Sequence, residues 1–421
     1  MRVKIYPSNV SSCITVPPSK SICHRAIICA CLSEGFSQID NVSYSKDIVA
    51  TIGGMRALGA KIIEHDNYID IEGIGKIKAN TSLVIDCNES GSTLRFFIPI
   101  FSLCNKKIRF LGQGRLLSRP QSVYEEIFRK QGLLFEQSDD KITIDGALKA
   151  GEYELCGDIS SQFITGLLLA LPMLDGNSII KIKPPFESRS YVDLTLQTMA
   201  DFGVNAHFVD DYTIALNGNQ QYKATDYKVE GDYSQMAFFA IMSAIKGELT
   251  IADMRIDSKQ GDKQIVDILS SFNSDIVVFD DSYCIKQSEL TASDIDLSNC
   301  PDLGPILTVL CAFSKGKSTI YNAARLRIKE SDRICAMETE LKKLGVTISS
   351  TADSIAVCGR NKMNEEVTVF AHNDHRIAMS LAIFATCGEY PVIIEGAECV
   401  EKSYPNFFED MQKIGVRLEI L

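Results

Sequence analysis

Hydrophobic and polar positions along the 421-residue chain repeat one local pattern. A stretch with helical spacing ends in an apolar residue and a glycine, and a short apolar run at strand spacing follows. It reads MRALGAKII, FRKQGLLFE, MADFGVNAHF, LKKLGVTIS and MQKIGVRLEI, with glycines at Gly59, Gly132, Gly203, Gly345 and Gly415. A sixth copy, ILSSFNSDIVV, carries Asn273 in the same place, and successive spacings are 73, 71, 70, 72 and 70 residues. Gly and Asn both tolerate the left-handed conformation that closes a helix. Each copy therefore predicts a helix, a left-handed cap and a strand folding back. Further apolar runs (SLVIDC, DKITIDG, YTIALNG, DSIAVCG) give each unit two helices and several strands.

Six such units are too many for one core, so two domains of three units are predicted. The boundary falls near residues 227–231. Residues 15–228 are expected to form one domain. Residues 229–421 form the other, joined by residues 1–14 as a strand crossing back.

Composition adds that 45% hydrophobic and 23% charged residues suit a globular chain. The formal charge of −11 argues against a general nucleic-acid binder, though not against a local cationic cleft. The start, MRVKIYPSNV, has no apolar core or cleavage site. Residues 96–103 and 163–174 are the most apolar stretches, well short of the ~18 residues that span a bilayer. A soluble, cytoplasmic protein without a membrane partner is expected. The fourteen cysteines are scattered and read as reduced thiols, most of them in apolar runs. Cys29 and Cys31 have no second pair or suitably spaced histidines, so no zinc site is expected.

Eight segments carry chemistry. PPSKSICHRA offers Lys20, Ser21 and Arg25 at a helix start with Ser19 as its cap. CNESGSTLRFF places Gly91, where backbone can approach a ligand closely, ahead of Arg95. GRLLSRPQS holds Arg119 before Pro120, and GDISSQF sets Ser160, Ser161 and Gln162 before an apolar helix. CPDLGPIL brings Asp302 to the head of another, where capping is the plain alternative. RIKESDR packs Lys329, Glu330, Asp332 and Arg333 together, behind Arg325 and Arg327. AHNDHR carries His372, Asp374, His375 and Arg376; its HxxH invites a metal reading but no third ligand is suggested. EKSYPNFF adds Lys402. Cations and small polar groups thus precede apolar helices in both halves, as a site for small phosphate- and carboxylate-bearing ligands requires.

In order and over nearly the whole chain, these segments resemble the 5-enolpyruvylshikimate-3-phosphate synthases of the enolpyruvyl transferase family. KESDR with NDHR is the most specific part. The resemblance implies an α/β protein of α+β units: two domains, each of three βαβαββ repeats, with the active site in the cleft between them. It implies transfer of the enolpyruvyl group of phosphoenolpyruvate to the 5-hydroxyl of shikimate 3-phosphate, releasing phosphate, in aromatic amino-acid biosynthesis. Lys20, Ser21, Arg25, Ser160, Ser161, Gln162, Ser188, Tyr191, Asp302 and Lys329 would serve shikimate 3-phosphate. Lys20, Gly91, Arg119, Gln162, Arg333, Arg376 and Lys402 would serve phosphoenolpyruvate. Asp302 is the expected base and Glu330 the proton donor, with Lys20 competing for that role. No metal or organic cofactor is expected, nor a nucleic-acid partner, and the chain should be a monomer. Glu89 and Phe96 depart from the Asn and Pro of many relatives. Arg325, where some relatives use Asn, stays outside the expected site. Two alternatives share the scaffold: a UDP-N-acetylglucosamine 1-carboxyvinyltransferase, whose mobile-loop cysteine has no counterpart in GRLLSRPQS, and a non-catalytic anion-binding protein.

Overall fold

A computed structural model describes residues 1–77, 82–360 and 365–421 of the chain. All six helix–Gly–strand copies take the predicted form. Gly59, Gly132, Gly203, Asn273, Gly345 and Gly415 have φ of 116°, 70°, 78°, 62°, 79° and 101°, each just past a helix. That is the left-handed closure for which Gly and Asn are the least strained residues.

Among the described residues the strands form six four-stranded sheets of one design. The second repeat shows it in unbroken chain order: Leu83–Asp86, helix Gly91–Ser102, Ile108–Leu111, helix Ser122–Lys130, Leu134–Gln137 and Ile142–Asp145. The first two strands pair in parallel, so a helix must carry the chain between them. The last strand slots antiparallel between the second and third. In three repeats the chain departs from this order. Val10–Thr15 lies parallel to Gly247–Ala252 as the opening strand of the fourth repeat. Arg2–Ile5 runs antiparallel between Val392–Glu395 and Leu418–Ile420, closing the sixth. Tyr227–Lys228 lies parallel to Glu34–Asp40 and completes the first.

The chain divides into two compact units: Pro18–Val229, and Met1–Pro17 with Glu230–Leu421. Each holds three repeats around its own apolar core. In the first, the central helices are Lys20–Leu32, Gly91–Ser102 and Ser161–Ala170; in the second, Tyr233–Lys246, Gly304–Phe313 and His375–Cys387. These six are buried on nearly every side, as helices apolar all round must be. Five of their N-termini lie in segments singled out by sequence; the start at Tyr233 was not among them. The fold thus gives each unit three buried helix starts, which favour anions. All fourteen cysteines stand outside any disulfide. Cys29, Cys31, Cys311 and Cys387 are core residues, whereas Cys13, Cys156, Cys335 and Cys358 are exposed. Among the described residues no helix is long and apolar enough to cross a membrane.

Candidate active site

In the unit Pro18–Val229 the sequence-predicted residues are tied together through three helix starts. Ser19 takes the N-cap position of Lys20–Leu32 without the capping bond; its hydroxyl is buried with no partner. Lys20 Nζ donates to Asp47 Oδ2 at 2.7 Å. Arg25, 3% exposed, donates to the Ser21 carbonyl at 2.5 Å, Thr195 Oγ1 at 2.8 Å, the Tyr191 carbonyl at 3.1 Å and Thr165 Oγ1 at 3.3 Å. Its face lies over the ring of Phe96, 5.2 Å from the centroid. Every one of these partners is neutral, and burial pulls the guanidinium down to about 10.

Arg95 repeats the arrangement one helix away. It donates to Gln162 Oε1 at 2.8 Å and the Pro120 carbonyl at 3.1 Å, with Ser160 Oγ at 3.4 Å. It lies 4.7 Å over Phe163. Burial, then the like charge of Arg119, brings it down to about 9. Gln162 Nε2 donates to Ser92 at 3.0 Å, and Ser160 caps the helix that Ser161 opens by accepting from Gln162 N–H. At Gly91 a Cβ would lie 2.7 Å from Arg119 Nη1, so the glycine is what lets that guanidinium rest against the helix start. Ser188, buried at φ 55°, precedes the helix Arg189–Asp201 that carries Tyr191. Arg25 and Arg95 are thus buried cations answered only by dipoles, a state that an anionic ligand relieves.

In the other unit the hub is Asp302. Capping is not its role: it sits in the short turn Pro301–Leu303, and Leu303 holds the N-cap position of Gly304–Phe313. Its Oδ1 accepts from Arg333 Nη1 at 3.1 Å and Lys329 Nζ at 3.3 Å. Its Oδ2 accepts from Arg376 Nη2 at 3.1 Å, and its carbonyl from Arg376 Nη1 at 3.0 Å. Arg333 in turn grips Asp374, which also accepts from Ser331 Oγ and Arg376 N–H. Burial opposes charge on Arg333, but Asp374, Asp302 and Glu330 more than offset it and hold the guanidinium above its ordinary range. Glu330 Oε2 lies 3.0 Å from His375 Nδ1, and Lys402 Nζ donates to the Asn373 carbonyl at 2.6 Å.

The dense RIKESDR segment divides by role. Asp332 caps the helix Arg333–Lys343 and pairs with Arg327 at 2.9 Å, while Arg325 donates to the Ser298 carbonyl at 2.7 Å. Lys329, Glu330 and Arg333 face the Asp302 network. Glu330, Asp374 and His375 bring ligand atoms within 4.8 Å of one another, so the cluster joins Glu330 to only one of the two HxxH histidines. His372 is not part of that cluster, and Arg333 already supplies a cation to its carboxylates.

Sequence reasoning missed Asp47 and Asp262; it named Asp374 and Arg95 at their helix starts but gave neither a substrate-binding or catalytic role. Asp262 is buried, accepts from Ser234 Oγ, and is pushed up to about 7 by burial and by the charge of Asp302. Asp47 and Asp262 stand at the second helix start of the first and fourth repeats.

The sequence profile of the EPSP synthase (3-phosphoshikimate 1-carboxyvinyltransferase) family matches residues 5–411. A 3-phosphoshikimate 1-carboxyvinyltransferase of Clostridium botulinum (strain Alaska E43 / Type E3) is 46% identical over 419 residues, 98% of this chain and 97% of the relative. One from Clostridioides difficile (strain 630) is 45% identical over 428 residues, 99% and 98% of the two chains. The solved EPSP synthase of Acinetobacter baumannii superposes with a TM-score of 0.84 at 25% identity, covering 100% of both chains.

Proposed function

The chain belongs to the EPSP synthase (3-phosphoshikimate 1-carboxyvinyltransferase) family, and from that premise we infer how its residues carry the family's reaction. It is a carboxyvinyltransferase. It moves the enolpyruvyl group of phosphoenolpyruvate to the 5-hydroxyl of shikimate 3-phosphate, giving 5-enolpyruvylshikimate 3-phosphate and phosphate, a step of the shikimate pathway to aromatic amino acids.

One observation supports the residue assignment above all others. In a chain of net charge −11, Arg25 and Arg95 are buried with only neutral partners. Anionic substrates supply the missing counter-charge. Lys20, Ser21, Arg25, Ser160, Ser161, Gln162, Ser188 and Tyr191 hold shikimate 3-phosphate, with Asp302 and Lys329 at its hydroxyls. Gly91, Arg119, Gln162, Arg333, Arg376 and Lys402 hold phosphoenolpyruvate, with Lys20 shared.

Asp302 takes the proton of the 5-hydroxyl as its oxygen attacks C2 of phosphoenolpyruvate, while Glu330 delivers a proton to C3. Lys20 is the competing donor; Glu330 is favoured by its contact with His375, through which a proton can be shared. The tetrahedral ketal then returns a C3 proton to the carboxylate. The C2–O bond to phosphate breaks, and the departing phosphate takes the proton held on Asp302. The arginines stabilise charge on the phosphoryl oxygens throughout. The enzyme works as a cytoplasmic monomer.

Phosphate release with each substrate omitted in turn tests this reading, with a sedimentation run for the monomer. Release should need both phosphoenolpyruvate and shikimate 3-phosphate. Release with UDP-N-acetylglucosamine in place of shikimate 3-phosphate would overturn the acceptor, and binding of both substrates without release would mark a non-catalytic scaffold.

A further inference from the structure

His372, the half of HxxH that does not join the acidic cluster, has a partner of its own. Its Nε2 lies 2.8 Å from Glu340 Oε1. Glu340 is 1% exposed, on the buried side of Arg333–Lys343, and also accepts from Phe370 N–H at 3.0 Å and Lys343 Nζ at 2.7 Å. Burial works against its charge, and these three donors more than offset that, leaving the carboxyl below its ordinary range. A buried carboxylate with donors from three separate places is a fastening point.

What it fastens is an unusual turn. His372 and Asn373 are consecutive non-glycine residues in the left-handed region, with φ of 52° and 53°. Such backbone persists only where the surroundings over-determine it. Glu340 grips the turn at the Phe370 amide and again at the His372 ring, which also packs edge-on to Phe370 at 5.1 Å. The far side of the turn does two things. The Asn373 carbonyl accepts from Lys402 Nζ at 2.6 Å, and Asp374 grips Arg333 Nε at 2.8 Å. Arg333 opens the same helix that carries Glu340 two turns on. Helix and turn are therefore joined at two points, Arg333–Asp374 and Glu340–His372, with the Lys402 contact held between them.

We propose that Glu340 and His372 are positioning residues for phosphoenolpyruvate: by locking the His372–Asn373 turn they aim the carbonyl that holds Lys402. Lys402's place at that substrate belongs to the assignment above, on which this proposal rests. Neither residue touches substrate. Their loss should therefore show as weaker binding of one substrate, with chemistry largely spared.

The test is steady-state phosphate release by full-length His372→Phe, Glu340→Gln, their double variant and Lys402→Met, with melting temperatures alongside. His372→Phe keeps a ring against Phe370 and loses only the nitrogen. The His372 side chain is 31% exposed, so the variant should fold. We expect it to raise the Michaelis constant for phosphoenolpyruvate roughly five- to twentyfold, leaving that for shikimate 3-phosphate within about twofold. The double variant should be no worse than the worse single one, as residues acting through one bond require. If Lys402→Met weakens phosphoenolpyruvate binding and His372→Phe does not, the positioning role falls and the site assignment stands. If Lys402→Met has no effect, both fall. A parallel rise in both Michaelis constants with a lower melting temperature would show plain structural support and overturn the proposal.

Discussion

Arg333 and Asp374 face each other as a buried two-pronged pair, Nε to Oδ2 at 2.8 Å and Nη2 to Oδ1 at 3.3 Å, with side chains 2% and 0% exposed. Arg333 is the first residue of one helix and Asp374 the N-cap of another. The pair thus locks two repeats of one unit together while leaving Arg333 Nη1 on Asp302. Ser331 Oγ and the Arg376 amide satisfy further acceptor positions on the carboxylate. This is the complete hydrogen bonding without which a buried ion pair costs more than it returns.

Asp374→Asn should therefore destabilise the protein by about 3–5 kcal/mol, because it leaves a buried guanidinium short of its counter-charge. Burial acts to raise the Asp374 carboxyl, the charge of Arg333 more than offsets that, and the result lies below the ordinary Asp range. A depressed folded value means that the stability it contributes is fully present above the unfolded value of about 4 and is lost as pH falls through the folded one. Denaturant midpoints measured from neutral pH into acid should show this group's share of the acid loss in the parent and not in the variant.

The six left-handed caps were legible because a backbone demand writes itself as Gly or Asn at one place in every repeat. The crossing of residues 1–14 was expected, but its pairing was not legible: nothing in RVKI or VSSCIT names a partner hundreds of residues away. Asp302 looked like a cap because an Asp just ahead of Gly-Pro and an apolar helix is what a cap looks like; only the fold brings three cations to it. Asp374 was hidden the opposite way. It does cap its helix, and that local sufficiency masked the pairing with Arg333. Asp47 and Asp262 carry no local motif, and only their partners Lys20 and Ser234 mark them.

Asp262 gives a pH signature of opposite sign. Its folded value of about 7 lies above the unfolded value near 4, so between those limits the folded protein keeps a proton that the unfolded chain has lost. The stability this provides is present on the acid side and declines as pH rises through about 7. Asp262→Asn cannot ionise, and should gain on the parent as pH is raised from about 5 to about 8. A stability difference that stays constant across that span would mean Asp262 is ionised throughout.

Gly91→Ala should separate function from stability. The new Cβ would meet Arg119 Nη1 at 2.7 Å and Cζ at 3.1 Å, atoms at the far end of a flexible side chain. The guanidinium moves and the helix does not. The melting temperature should hold or rise slightly, since alanine is better than glycine in a helix by up to about 1 kcal/mol. The Michaelis constant for phosphoenolpyruvate should rise by about tenfold, as it should in Arg119→Ala, while that for shikimate 3-phosphate stays put. A normal constant in Arg119→Ala would remove Arg119 from the phosphoenolpyruvate assignment.

Asp302→Ala should split the kinetic constants most sharply. Losing a general base costs about 10²–10⁴-fold in turnover. The same change removes the carboxylate that Lys329, Arg333 and Arg376 share, and these cations then compete less with an internal anion when phosphoenolpyruvate arrives. Its affinity should therefore hold or increase while turnover collapses. The Asp302 side chain is 23% exposed, so water can reach the released cations and the fold should survive. Single-turnover phosphate release and equilibrium binding of phosphoenolpyruvate, measured on one preparation, resolve the two effects. Near-normal turnover would take the base role from Asp302. A loss of phosphoenolpyruvate binding as large as the loss of turnover would instead make Asp302 an organiser of the arginines.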